Sequence, residues 1–135
     1  MSLFTNQGFG ALGKTLNGLN SRNKAISNNI ANVDTPNYKR QYVTFRDQLK
    51  SAMEETNDLA TTNSKHISIG ASSVNSVQPK IQQEKNTSFR NDGNNVSIDK
   101  EMAQLAKNGL EYRSIIKQVS NQFNRLGSVI RKGGN

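Results

Sequence analysis

Apolar residues recur at steps of three and four through the first and last thirds of the chain and are scattered between them. Phe9, Leu12, Leu16, Leu19, Asn23, Ile26, Ile30 and Val33 form the first stripe, an a/d heptad array interrupted by one polar position at Asn23. Gly8, Gly10, Gly13 and Gly18 weaken its start, each costing about 1 kcal/mol relative to alanine inside a helix. The spacing therefore predicts a helix from about Leu12 to Asn32, frayed before it. The second stripe is stronger: Ile98, Met102, Leu105, Gly109, Tyr112, Ile116, Val119, Phe123, Leu126 and Ile130 run almost unbroken. Ser97 or Asp99 can cap it. Asp99 and Glu101 suit its positive end, and Arg131 and Lys132 its negative end. Such a helix is roughly 50 Å long, more than a compact domain of this size needs.

The two stripes are each other's obvious partners. The predicted fold is mostly α, with long N- and C-terminal helices pairing as an antiparallel coiled coil. The expected seam joins Leu12, Leu16, Leu19, Ile26 and Ile30 to Met102, Leu105, Tyr112, Ile116, Val119, Phe123, Leu126 and Ile130. Leu3, Phe4, Ala25, Leu110 and Ile115 lie off that seam, which leaves them for other subunits. Between the helices the pattern changes. Gln41 to Phe45 alternates like a short strand or one arm of a hairpin, and Phe45, Leu49 and Met53 suggest a short helix ending near Glu55. Residues 56–96 show almost no periodicity and read as irregular. The expected division is 1–34 for the N-terminal helix, 35–96 for the irregular middle and 97–135 for the C-terminal helix.

Composition sharpens this. Only 33% of the 135 residues are apolar and the mean hydropathy is -0.74; a compact domain averages about 45–50% apolar. The isolated chain is therefore expected to be partly disordered, with order arriving on assembly. Zero cysteines exclude disulfides and thiol chemistry. MSLFTNQGFGALGK has no charged region leading into an apolar one, so no cleaved signal peptide is expected. No run approaches the about 20 apolar residues needed for a membrane span.

No constellation for catalysis emerges. His66 is the only histidine and has no ligating or catalytic neighbours in the sequence; Glu54, Glu55 and Asp58 read as a solvated helix end. GFGALGK lacks the spacing of a phosphate loop and no buried strand precedes it. The chain is expected to be no enzyme and to hold no cofactor or metal. The formal charge of +8 raises a second class, a basic helical nucleic-acid-binding protein. Arg113, Lys117, Arg125, Arg131 and Lys132 follow Glu111 without an intervening acid. These cations surround the helix rather than forming a dense stripe, and few aromatics are available to stack bases, so no nucleic acid is the expectation.

The densest run of specific residues is SNNIANVDTPNYKR, at the exit of the first helix. Asn28, Asn29 and Asn32 can satisfy orphan carbonyls of the last turn or bond a neighbouring helix. Pro36 extends Thr35 and stops the helix, Pro36-Asn37 suits the centre of a turn, and Asp34 can close a bond ahead of it. Tyr38 then falls at a fixed distance from the helix end.

The run Ser27 to Lys39 resembles the N-terminal signature of the bacterial flagellar rod, hook and hook-associated family, in which SNNIAN is followed by x-x-T-P-x-Y. Asp92-Gly93-Asn94-Asn95-Val96-Ser97-Ile98-Asp99-Lys100-Glu101-Met102, with Leu105-Ala106 and Tyr112, resembles the C-terminal block of one of the two sister proximal rod members of that family. The other sister is the closest alternative. Asn37 departs from the glycine common there, although asparagine tolerates the left-handed region. The resemblance implies a structural rod subunit that transmits torque and helps to wall the export channel. It implies export through the flagellar type III apparatus and a place outside the cytoplasmic membrane. The implied partners are copies of itself, other rod proteins and the membrane-ring adaptor at the rod base. Asn28, Asn29, Asn32, Asp34, Thr35, Pro36 and Tyr38 would then form an assembly joint whose asparagines a neighbouring subunit satisfies.

Overall fold

The computed structural model describes residues 6–58, 74–85, 87–88 and 90–133. Helix α1 spans Asn6–Ala31. It begins ahead of the start that its glycines suggest, because tertiary contacts outweigh their low propensity. Ala11 is buried with Leu49, Ala52, Val74 and Val77, and the Phe9 ring meets Phe123 edge-on at 5.1 Å. Gly18 is inside the helix for a steric reason: the Phe45 ring lies where its Cβ would be.

Strand β1 (Gln41–Thr44) leads into helix α2 (Arg46–Asp58). Phe45 is the buried pivot between them, and its carbonyl accepts from the Leu49 amide at 2.9 Å. A single 3-10 turn, Val74–Ser76, seats Val74 and Val77 against α1 and α2. Strand β2 (Lys80–Gln83) then pairs antiparallel with β1, Tyr42 opposite Gln82 and Val43 opposite Ile81. The segment 74–96, expected to be irregular, thus contributes a strand and an ordered loop. All four residues of β2 are exposed, which is why no alternation marked it in the sequence. His66, Leu3 and Phe4 lie outside the described residues.

Helix α3 spans Ile98–Gly133, 36 residues or about 54 Å. The Glu101 amide bonds the Ser97 carbonyl at 3.0 Å as the helix starts. Contacts between Asn29 and Glu101, Arg22 and Glu111, and Phe9 and Phe123 show that α1 and α3 run antiparallel.

The packed faces sit one residue round from the continuous apolar stripes. On α1, Leu19 and Ile26 are buried and Leu12, Leu16 and Ile30 half-buried, but Ala11, Ala25 and Asn29 are buried beside them. On α3, Leu105, Val119 and Leu126 are half-buried, and the row beside them is Glu101, Asn108, Ile115 and Gln122. Met102, Tyr112, Ile116, Phe123 and Ile130 remain exposed, from 41% at Tyr112 to 70% at Ile130. Two of the residues expected to be free are therefore core: Ala25 is buried and Ile115 packs against Leu19, Val43 and Phe45. Leu110 is exposed. The turn of the helices has a polar cause. Among the described residues the side chains of Glu101 and Asn108 bond α1 and the chain leaving it, so their side of α3 faces inward.

Candidate functional site

The exit of α1 is closed first by its own residues. The Asn32 side-chain amide donates to the Asn28 carbonyl at 2.8 Å, and the Thr35 hydroxyl reaches Asn32 Oδ1 at 3.2 Å. The Tyr38 amide returns to the Thr35 carbonyl at 3.3 Å around Pro36-Asn37. Asn37 has φ 59°, the left-handed conformation that such a turn needs at its third position. Asparagine serves there where most residues would be strained.

The loop before α3 completes the exit from 60 residues away in the sequence. Asn94 is buried and points its amide at three carbonyls, Asn32, Val33 and Thr35, at 3.0, 3.0 and 2.9 Å. These carbonyls belong to the turns just past the end of α1 at Ala31, so Asn94 pins the exit loop in its path away from the helix. Asn94 is itself fixed, since its Oδ1 accepts from the Val96 backbone amide at 2.7 Å and its own backbone N–H donates to Asp92 Oδ1 at 3.0 Å. Gly93, at φ 79°, faces Asn37; a Cβ there would lie 2.6 Å from Asn37 Oδ1. The Asn37 amide donates to the Asp92 carbonyl at 2.9 Å. Lys39 Nζ bonds the Gly93 and Thr87 carbonyls at 2.8 and 3.1 Å, and Arg90 bridges Asp34 and Asp92 on the outside.

Beneath this lies a buried polar centre. Asn29, fully buried, donates to the Gln41 carbonyl at 2.8 Å and to Glu101 Oε2 at 3.0 Å, and its Oδ1 accepts from the Gln41 amide at 2.8 Å. Its side chain thereby acts as one more strand residue beside β1. Glu101, also fully buried, takes Arg40 Nε on its other oxygen at 2.6 Å. Arg40 reaches Glu84 at 3.5 Å, while its backbone amide bonds Asn95 Oδ1 at 2.6 Å. Asn95 ties in the far side through the Glu84 carbonyl and the Thr87 hydroxyl, both at 2.8 Å. Tyr38 rests on Asn29 Oδ1 at 3.4 Å, and burial, followed by the charge of Glu101, holds its hydroxyl above the ordinary tyrosine range.

This arrangement fastens; it offers little to chemistry. Both oxygens of Glu101 are occupied by strong donors, and among the described residues no group of three His, Cys, Asp or Glu could hold a metal ion. Of the motif residues, Asn29 is buried in the centre, Asn32 and Tyr38 are half-buried, and Asn28, Asp34, Thr35 and Pro36 are exposed. The expectation that a neighbouring subunit satisfies these asparagines changes for two of them. Asn29 and Asn32 spend their amides within the chain, whereas the Asn28 side chain makes no hydrogen bond among the described residues and faces outward. Arg40, Asn94, Asn95 and Glu101 were not expected as members of the site. Their signal was present only as two polar blocks with no local use for so many amides.

The comparisons with known proteins fall on these blocks and beyond. The family model described as flagella basal body rod protein matches residues 11–39, which is α1 and its exit. The flagellar basal body rod protein FlgB of Bacillus subtilis (strain 168) is 36% identical over 115 residues, 83% of this chain and 84% of that protein. The protein of that name from Aquifex aeolicus (strain VF5) is 34% identical over 131 residues, 97% of each chain. The one from Escherichia coli (strain K12) is 30% identical over 118 residues, covering 83% and 84%.

Proposed function

Because the chain belongs to the FlgB family of flagellar basal body rod proteins, we propose that it is a structural subunit of the proximal axial rod, carrying torque and helping to wall the export channel. The observation that best supports this is the open row on α3. Met102, Gly109, Ile116, Phe123 and Ile130 stand at seven-residue steps, and the four large members are 42–70% exposed. Phe123 meets Phe9 with one edge, and the rest of the row is open; a helix with one heptad row packed inside its own chain and the next row largely open is built to take a further helix. Its occupant in this reading is a helix of a neighbouring rod subunit, and contacts of this head-to-tail kind propagate into a filament.

The joint supplies what a torque-bearing subunit needs. Ordering α1 against α3 through Asn29, Arg40 and Glu101 fixes the direction in which the chain leaves the helix pair. The joint then presents Asn28, Asp34 and Pro36 outward at a set angle, available to the next subunit. Copies of this chain, other rod proteins, the adaptor at the rod base and the type III export apparatus are the partners proposed. No described helix is long and apolar enough to cross a membrane. Neither a nucleic-acid-binding role nor a catalytic role is proposed.

The test is complementation. A strain lacking this gene is expected to build no hook and not to swim, and a tagged copy is expected to restore swimming and to co-purify with basal bodies. Normal hooks in the deletion strain would overturn the reading.

A further inference from the structure

Several of the chain's cations gather beside the joint and share Arg40 with it. Between α1, β1 and α3 lies a cleft of about 200 Å³ whose walls carry Arg22, Arg40, Arg46 and Lys107, with Gln104 and Tyr42 between them. The acids nearby do not balance these cations. Arg22 and Arg46 both bond the same oxygen, Glu111 Oε2, at 3.3 and 2.9 Å. Arg40 is committed to Glu101 and Glu84. Lys107 and Gln104, three residues apart and so on one face of α3, make no hydrogen bond or ion pair among the described residues, and both are exposed. One carboxylate oxygen thus serves two guanidiniums, and the ammonium beside them has none.

One of the cations, Arg22, is also held in place. Arg22 lies over the Phe45 ring at 5.7 Å to its centre while bonding Glu111, so its guanidinium plane is fixed from two sides. A planar guanidinium with spare N–H groups matches a carboxylate in two-point geometry, and a neighbouring ammonium adds charge without demanding direction.

We infer that this cleft receives a carboxylate side chain from an acidic partner protein, bonded by Lys107 and by the spare N–H groups of Arg46 and Arg22. The inference rests on the rod reading, which supplies the neighbours. Charge complementarity selects the occupant. A second copy, with its own formal charge of +8, suits the apolar row better than this cationic cleft, whereas an acidic surface is drawn into the cleft and oriented. In this way a basic subunit takes a neighbour of another kind at one face while its open apolar row takes a helix at another.

The experiment reverses charge at the mouth of the cleft. Lys107→Glu, Gln104→Glu and Lys107→Gln are placed in the strain lacking this gene, and the chain recovered in purified basal bodies is measured against wild type. Both glutamate variants are expected to lose about tenfold or more in incorporation, since each sets a negative charge against the incoming carboxylate, with Lys107→Gln between them and wild type. Changes of an acidic residue to neutral or basic in another rod protein are expected to restore the glutamate variants. Gln104 makes no hydrogen bond or ion pair among the described residues, so Gln104→Glu carries the test even where Lys107→Glu folds poorly; circular dichroism of each variant distinguishes misfolding. Wild-type incorporation of Gln104→Glu overturns the inference. So does restoration that maps only to acids of this chain, which would make the occupant a second copy. Failure of the rod reading looks different, since the wild-type chain itself would then be absent from basal bodies.

Discussion

Asn29 on α1 and Glu101 on α3 meet at 3.0 Å in a site where both side chains are fully buried. Asn29 uses its remaining groups on the backbone of Gln41, and Glu101 uses its second oxygen on Arg40. Two helices and the strand between them are therefore tied at one point, 72 residues apart along the chain. Each member leaves costly unpaired groups behind when it is removed.

Replacing Glu101 by Ala leaves Arg40 only its longer pairing with Glu84 and takes a buried acceptor from Asn29, and about 3 kcal/mol of stability should be lost. Asn29→Asp should be comparably harmful, because it sets two carboxylates against each other where one amide now bridges. Its deficit should shrink as the pH falls, since protonating either acid removes the repulsion. Urea unfolding of both variants checks this; a loss below about 1 kcal/mol for Glu101→Ala would mean that the centre contributes little.

Tyr38 gives the joint an alkaline limit. Burial and then the negative charge of Glu101 raise its hydroxyl above the ordinary tyrosine value of 10.0. The folded chain holds that proton more tightly than the unfolded one. The contribution is complete below about pH 10 and lost as the pH rises through the raised folded value. Unfolding midpoints measured up to and beyond pH 10 should fall more steeply for wild type than for Tyr38→Phe. Equal slopes would show that Tyr38 titrates alike in both states.

At Gly93 two penalties combine. Its φ of 79° strains any other residue, and a new Cβ would meet Asn37 Oδ1 at 2.6 Å. Gly93→Ala should cost about 1–3 kcal/mol. Adding Asn37→Gly should recover the steric part and leave the conformational part. The double variant should therefore be less unstable than the sum of its parts; additivity would place the two residues out of contact.

Gly18→Ala separates propensity from packing. On propensity alone, alanine should gain about 1 kcal/mol inside a helix. The ring of Phe45, itself buried, occupies the space its methyl group needs. The substitution should destabilise, and Gly13→Ala, with nothing within 4 Å of the new Cβ, should not. Thermal melts of the two side by side decide which effect wins.

The long helices and their antiparallel partnership were legible because seven-residue apolar repeats are hard to mistake over 36 residues. The face each helix turns inward was not. Glu101 and Asn108 read as polar positions beside an apolar stripe, yet they are buried at 0% and 2% exposure because their partners lie on α1 and the chain leaving it. Ile116 and Ile130 read as seam and are left open, and Phe123 touches Phe9 with one edge while staying 59% exposed. Strand β2 was hidden because KIQQ is exposed throughout and shows no alternation. The exit motif was recognisable as a helix stop. Its completion by Asn94 was not, because a side chain that satisfies three carbonyls about 60 residues upstream leaves no local pattern.

The most direct measurement is a density map of the assembled basal body at side-chain detail with this chain traced. It should place a helix of a neighbouring subunit over Met102, Ile116, Phe123 and Ile130, with the Asn29–Glu101 contact intact beneath. A rod in which that row faces open solvent, or in which Glu101 has left Asn29 for a neighbouring subunit, would refute the division of α3 into an inner row and an outer one.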